Sequence, residues 1–256
     1  MSVNGPIAED VAEEAMRLLV TAERAGIPLR VLGGMAIVLH AGDDLHPAFK
    51  REIRDIDFVA PKGKGRRVAE LLVAEGYEPN RTFNAMHGAR RLLFYDEAHA
   101  RQVDVFVGTF EMCHVLPVSE RLSVEPVTVP LAELLMTKLQ IVKLNAKDRN
   151  DVYALLLTHD VAGHDDETVN ARRIAELCAR DWGLYRTVEI SLDRLREGLA
   201  EVNVRDEQKE LIAERLGRLR AAIEAEPKSA RWKMRARVGD RVRWYEDPEE
   251  VEKGGY

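Results

Sequence analysis

Two aspartates, Asp55 and Asp57, stand one residue apart at the head of the apolar run D-I-D-F-V-A. In a β-strand, side chains two residues apart leave the same face, with their Cα atoms about 6.5–7 Å apart. Two neighbouring carboxylates destabilise each other unless a positive charge lies between them. Mg²⁺ meets that need, because it binds carboxylate oxygens and keeps coordination positions for phosphates. The pair therefore predicts a magnesium site.

A third carboxylate, Asp104, lies inside the apolar run Q-V-D-V-F-V-G. If its strand neighbours the strand of Asp55 and Asp57, three carboxylates meet and could hold two metal ions for an in-line phosphoryl displacement. The alternatives are a solvated strand end for the pair and an ion pair of Asp104 with Arg91 or Arg101.

A glycine pair, Gly33 and Gly34, stands between the strand-like P-L-R-V-L and the helix-like M-A-I-V-L-H-A. Glycine lets the backbone approach a ligand closely, and the first N–H groups of the following helix attract anions. A tight turn without a ligand is the alternative. The loop that carries Arg51 follows, and then the two aspartates.

The elements that position these residues fall into two parts. In the first part we expect helices over 6–25 and after Pro61, a strand that ends before Pro61, and an antiparallel pair, A-R-R-L-L-F-Y-D-E with R-Q-V-D-V-F-V-G. In the second part the apolar spacing is helical almost throughout, over 130–144, 148–158, 168–181, 185–201 and 205–226. The sequence predicts an α/β (α+β) fold, a mixed sheet flanked by helices, followed by a helical bundle. The predicted domains are 1–118, catalytic, and 119–256, helical with a basic tail.

A lysine, Lys138, falls on the apolar stripe of the helix predicted over 130–144. A lysine directed at a core must reach solvent, lose its charge or meet an anion. On the next predicted helix, Asp148 and Asp151 lie three residues apart on one face. These residues predict an ion cluster, which is either a structural bridge between helices or part of a phosphate site.

The motifs V-L-G-G-M-A-I-V-L-H, R-E-I-R-D-I-D-F and V-D-V resemble the polymerase-β-type nucleotidyltransferase superfamily, and most closely its minimal, AbiE-type members. L-x-x-x-K-L with K-D-R-N-D-V is similar to the second block of those toxins. The resemblance implies a nucleotidyltransferase fold and transfer of NMP from an NTP, ATP or CTP, with release of pyrophosphate. Two positions depart from the pattern: Gly34 replaces the commoner serine, and Ile53 stands where threonine is usual.

The resemblance also implies roles for individual residues. Three carboxylates would bind Mg²⁺, one of which, Asp104, would also act as general base. Lys138 would contact the phosphates or the leaving pyrophosphate. The full set implied is Gly33, Gly34 and Arg51 at the triphosphate, Asp55, Asp57 and Asp104 at the metal, and Lys138 held by Asp151 and Asp148.

Several acceptors remain open. A toxin-type enzyme would modify tRNA or a protein and would have an antitoxin partner, whereas an antibiotic-modifying enzyme would use an aminoglycoside or lincosamide. A catalytically inactive nucleotide-binding or antitoxin-like module is the third option. Residues 228–243 are basic and contain Trp232; the segment either stacks on RNA bases or neutralises the acidic body.

Composition limits the classes further. The chain has 256 residues, 46% hydrophobic and 32% charged, and a net charge of −6, which is unlike a basic nucleic-acid coat. The two cysteines, Cys113 and Cys178, fit no metal-ligand spacing and suit a reducing compartment. No apolar run approaches the roughly 18 residues of a membrane span. We therefore expect a soluble, cytoplasmic protein with no membrane partner.

Overall fold

The computed structural model describes residues 7–247, and these fall into two compact units. The first unit extends to Phe110 and includes Pro117–Leu134. The second comprises Glu111–Leu116 and the chain from Leu135 onward. The assignment of catalysis to 1–118 and of a helical role to 119–256 stays a prediction, and the outermost residues of both ranges lie outside the described part.

A five-stranded mixed sheet forms the centre of the first unit, in the order β1-β2-β5-β4-β3. Its strands are β1 (Arg30–Leu32), β2 (Ile56–Ala60), β3 (Glu78–Pro79), β4 (Arg91–Asp96) and β5 (Arg101–Val107). Only β2 and β5 run parallel, and the other pairs are antiparallel. The two parallel strands are buried along most of their length, which explains their nearly continuous apolar sequences. The predicted antiparallel pair is confirmed as β4 and β5.

Four helices accompany this sheet: α1 (Val11–Arg24), α2 (Gly33–Ala41), α3 (Gly65–Ala74) and α4 (Arg81–His87). Helix α1 begins where the Asp10 side chain accepts hydrogen bonds from two backbone N–H groups, and it ends before Gly26, whose φ is +65°. The helix predicted over 6–25 is therefore shorter, and residue 6 lies outside the described part. Helix α4, capped by Asn80, was not expected from the sequence.

Helices dominate the second unit: α6 (Ala146–Thr158), α7 (Ala171–Arg180), α8 (Trp182–Gly198), α9 (Asp206–Ala225) and α10 (Ala230–Val238). Helix α5 (Leu131–Leu139) precedes them, and short strands β6 (Phe110–Glu111) and β7 (Val115–Leu116) lie upstream. The mixed α/β class with a helical second part is confirmed.

Two helices predicted in the second part of the chain depart most from the structure. The helix predicted over 130–144 ends at Leu139, because the N–H of Ile141 bonds back only three residues to the Lys138 carbonyl, and Asn145 begins the next helix. The helix predicted over 168–181 begins with a strand, β9 (Thr168–Asn170), paired parallel with β8 (Asp160–Ala162). Asn170 then caps α7.

Within the described residues, none of the helices is both long enough and apolar enough to cross a membrane.

Candidate active site

The glycine turn and one predicted metal ligand are in direct contact. Gly33, the first residue of α2, has φ +69°, a conformation that glycine adopts without strain. A Cβ atom added to Gly33 would lie 2.9 Å from Cγ of Asp57 and closer still to its Oδ2. The half-buried Asp57 carboxylate therefore occupies the space that any other side chain at position 33 would need.

The second glycine makes room for a cation. A Cβ atom added to Gly34 would lie 3.2 Å from Cζ of Arg51 and 3.0 Å from Cδ1 of Ile53. Helix α2 begins here, and its N-cap residue, Leu32, offers no side-chain acceptor to the first turn. Helix N-termini attract anions, and Arg51 adds a full positive charge at the same turn.

Register in the sheet brings two of the predicted ligands side by side. Asp57 on β2 is the direct partner of Asp104 on the parallel strand β5, and it also pairs with Leu32 on β1. Paired residues of neighbouring strands project to the same face. The condition stated from the sequence, that the strand of Asp104 neighbours the strand of Asp57, is therefore met. Strand β1, which leads into the glycine turn, lies on the other side of β2.

An arginine holds the carboxylate of Asp104. Nε and Nη2 of Arg91 each donate a hydrogen bond of 2.7 Å to a different oxygen of Asp104, and Gln102 Nε2 donates another of 3.3 Å. The guanidinium of Arg91 also lies 5.0 Å from the ring centre of Phe106 and 5.6 Å from that of Phe83. A planar fork of this kind matches a carboxylate better than a point charge does.

The third predicted ligand, Asp55, lies one residue before β2 and is exposed. In the part of the chain that the structure describes, no group of three or more His, Cys, Asp or Glu residues is placed to hold a metal ion. Carboxylate oxygens are the donors that Mg²⁺ prefers, so the residue types fit this ion. The arrangement of the side chains does not fit a bound ion, because both oxygens of Asp104 accept hydrogen bonds from Arg91. The metal site stays a prediction.

The lysine cluster of the second unit consists of Lys138, Asp148 and Asp151. The ammonium of Lys138 lies 2.8 Å from a carboxylate oxygen of Asp151 and 3.1 Å from one of Asp148. The Asp148 N–H donates to the Asn145 side chain, so this carboxylate sits in the first turn of α6, where the helix dipole favours negative charge. The predicted contact between these residues is present.

Charge in the lysine cluster is set by a competition. Burial lowers the pKa of Lys138, but attraction to Asp151 and Asp148 outweighs it, and the pKa lies above its ordinary value of 10.5. The lysine is therefore a cation at neutral pH, as its pairing requires. Its predicted role at the phosphates stays a prediction.

The sequence left the partner of Asp104 undecided between Arg91 and Arg101. The side chain of Arg101 instead reaches the carbonyls of Ala8 and Glu9. The alternation of side chains along β4 could have identified Arg91. Leu93 pairs with Asp104, and Arg91, two residues earlier, lies on the same face of the sheet. Phe83 was not identified, because α4 itself was not predicted.

No known protein family matches this sequence, and no curated protein matches it.

The solved structures that show similarity to the chain include the following three. With the antibiotic-resistance factor ANT(2'')-Ia it shares 13% identity at a TM-score of 0.37, over 83% of this chain and 94% of that one. With a tRNA-processing enzyme it shares 16% identity at a TM-score of 0.31, over 87% of this chain and 59% of that one. With the STING-associated CdnE c-di-GMP synthase from Capnocytophaga granulosa it shares 11% identity at a TM-score of 0.27, over 84% of this chain and 79% of that one. Similarity this low assigns neither a family nor an activity.

Proposed function

We propose that this chain is a nucleotidyltransferase that moves a nucleoside monophosphate from an NTP to an acceptor group and releases pyrophosphate. The observation that carries the proposal is the contact of Gly33 with Asp57, directly opposite Asp104 on the neighbouring strand. Phosphate-binding features and oxygen donors thus share one corner of the sheet, and the motif resemblance points to the same reaction.

The residues of this corner have distinct roles in the proposal. The triphosphate lies against the first turn of α2, where the glycines leave the backbone uncovered and Arg51 supplies positive charge. The acceptor oxygen attacks the α-phosphorus, the bond to the bridging oxygen breaks, and pyrophosphate leaves. Asp104 takes the proton of the acceptor hydroxyl. Lys138, held by Asp148 and Asp151, is proposed to contact the phosphates or the pyrophosphate.

A divalent cation, in our proposal Mg²⁺ and in one form a pair of ions, would be held by Asp55, Asp57 and Asp104. When bound, it would neutralise the charge of the triphosphate and of the departing pyrophosphate. Because Arg91 holds both oxygens of Asp104, this carboxylate becomes available only when Arg91 turns to another anion. A triphosphate is such an anion.

The Arg91–Asp104 pair also favours a second candidate, a nucleotide-binding module without transferase activity. In that case Arg91 holds Asp104 permanently, and the glycine turn and Arg51 bind the nucleotide. The antitoxin-like or regulatory role considered from the sequence belongs to this candidate. The two candidates differ in one observable: whether bound NTP is consumed.

The test uses the purified full chain with Mg²⁺ and each NTP in turn, and measures pyrophosphate release with and without acceptors. ATP or CTP is the expected donor. Labelled NTP is incubated with total tRNA, with a cell lysate depleted of nucleic acid, and with a panel of aminoglycosides and lincosamides. Label on tRNA or protein supports the toxin-type enzyme, for which an antitoxin partner is expected, and label on an antibiotic supports a small-molecule enzyme. Binding of NTP without pyrophosphate in any arm contradicts the transferase and supports the binding module.

A further inference from the structure

A surface pocket of about 660 Å³ lies within the second unit, between the starts of α8 and α10 and the segment that follows α10. This volume is in the range of small-molecule sites. The chain contains three tryptophans, Trp182, Trp232 and Trp244, and all of them line this pocket. Trp182 and Trp244, 62 positions apart in sequence, thus meet at one surface. A basic tail that served only to neutralise the acidic body would not need such a contact.

The indole rings of the pocket are fixed by hydrogen bonds behind them. The indole N–H of Trp232 donates to the Cys178 carbonyl at 3.0 Å, and that of Trp244 donates to Thr187 Oγ1 at 3.1 Å. Edge-on contacts with Tyr185 and Trp182 hold the same two rings. Both remain half-buried and line the pocket, so flat apolar surface is available at fixed positions without further loss of side-chain freedom.

Positive charge predominates around these rings. Four arginines and two acidic residues line the pocket. Arg235 stacks on Trp182 at 4.2 Å, and Arg243 pairs with Asp247. Arg180 and Arg231 are exposed, and among the described residues neither has a hydrogen-bonding or ionic partner. Two guanidinium groups therefore remain for an anionic ligand.

One of the acids is already engaged. Asp181 caps α8 and accepts hydrogen bonds from the N–H groups of Gly183 and Leu184. Its negative charge thus faces the helix N-terminus, which lowers its repulsion of an anion in the pocket. Gly183 allows the close approach of the Trp244 backbone, since a Cβ atom there would lie 2.7 Å from the Trp244 carbonyl oxygen.

We propose that this pocket binds a nucleobase with an attached phosphate, the base against the indole of Trp232 or Trp244 and the phosphate at Arg180 and Arg231. Planar bases stack on aromatic rings without a sequence requirement, and guanidinium groups bind phosphate with two parallel hydrogen bonds. The ligand is either a free nucleotide or a nucleotide of single-stranded RNA. Binding here does not depend on the proposed transferase activity.

Tryptophan emission tests this directly, because every tryptophan of the chain lies in the pocket. The full chain is titrated with AMP, with a short single-stranded RNA, with inorganic phosphate and with a glutamate-rich peptide, under excitation where adenine does not absorb. Saturable quenching by AMP indicates a free-nucleotide site. Saturable quenching by RNA alone indicates a site for a polynucleotide. Either result supports the proposal.

Charge variants sharpen the test. Arg180→Gln and Arg231→Gln should each weaken nucleotide or RNA binding about tenfold, and each should reduce the logarithmic salt dependence of RNA binding by about one unit. Matched controls are Arg172→Gln on α7 and Arg237→Gln on α10, both exposed and outside the pocket lining. These should bind like the unmodified chain.

Three results overturn the proposal. The first is the absence of saturable quenching by both AMP and RNA. The second is equal binding by the Arg180→Gln/Arg231→Gln double variant and the unmodified chain, with the fold confirmed by circular dichroism. The third is saturation by phosphate or by the acidic peptide as strong as by the nucleotides, which would assign the pocket to anions in general or to a protein partner.

Discussion

In the sheet of the first unit, the planar guanidinium of Arg91 holds one carboxylate, Asp104, whereas in the second unit Asp148 and Asp151 share the single ammonium of Lys138. All three carboxylates are buried and would destabilise the fold without a cation. The two cations differ in the contacts that they make besides their carboxylates. The guanidinium of Arg91 also lies against two phenylalanine rings. The ammonium of Lys138, in contrast, has an aspartate on each of two sides.

The surroundings of the two clusters differ as well. The carboxylate opposite Asp104, Asp57, adjoins a glycine turn and a helix N-terminus, both of which suit a phosphate. In the lysine cluster, the ammonium at the end of α5 is paired with two carboxylates at the start of α6. A buried ion pair alone therefore says little about function, and the neighbouring backbone decides whether a ligand fits.

The largest effect is expected from Lys138→Met, which removes the ammonium shared by two buried carboxylates. Such a loss destabilises a protein by about 3–5 kcal/mol. We expect the free energy of unfolding in urea to fall by this amount, and Asp148→Asn with Asp151→Asn in the same chain to restore much of it. Lys147→Met, an exposed lysine on α6, the helix of the two aspartates, is the control. A Lys138→Met chain as stable as this control would show that the cluster carries no net stabilisation.

A smaller effect is expected from Arg91→Met, since the Arg91 side chain keeps 17% of its surface exposed and water can reach the cluster. We expect a loss of about 3 kcal/mol in the same assay. Arg91→Lys should recover part of it, because it returns the charge without the fork. With Asp104→Asn added, the loss should not be additive. Simple additivity would mean that the two side chains do not interact in solution.

Gly33→Ala should cost more than Gly63→Ala, although both glycines have positive φ, +69° and +79°. An added Cβ at Gly63 meets nothing within 4 Å, so its loss, about 1–2 kcal/mol, measures the backbone alone. The additional loss at Gly33, about 1–3 kcal/mol, measures the contact with Asp57. Asp57→Ala in the Gly33→Ala chain should remove that addition. Equal losses at the two glycines would place Asp57 away from the turn.

The smallest effect concerns pH. Burial lowers the pKa of His114 and of His159 below the usual 6.5, so the unfolded state binds more protons in acid, and stability falls as the pH drops below about 6.5. The pKa of Lys138 is raised, so its contribution is present throughout this range and is lost only in alkali. His114→Gln should therefore flatten the loss of stability between about pH 7 and about pH 5. A steeper slope in His114→Gln would reverse the assigned direction.

Much of this arrangement follows from the sequence because local signals specify it. Helical spacing identified the contact of Lys138 with Asp148 and Asp151, and the glycine pair before D-I-D located the turn that Asp57 contacts. The choice of Arg91 over Arg101 depended on strand register, which the turn at residues 97–100 sets and which composition does not reveal. The parallel pair β8 and β9 was not predicted, because each strand has only three residues and adjoins a segment with helical apolar spacing. The pocket with three tryptophans needed tertiary structure, since Trp182 is far from the basic segment in sequence.

The most direct test of the central claim compares pyrophosphate release by the unmodified chain, Asp57→Asn and Asp44→Asn with Mg²⁺, NTP and the best acceptor. Asp44 is an exposed acid of the same unit and serves as the matched control. We expect Asp57→Asn to lower the rate by at least about 100-fold with an unchanged unfolding transition, while Asp44→Asn keeps the full rate. A rate in Asp57→Asn within about twofold of the unmodified chain would contradict it.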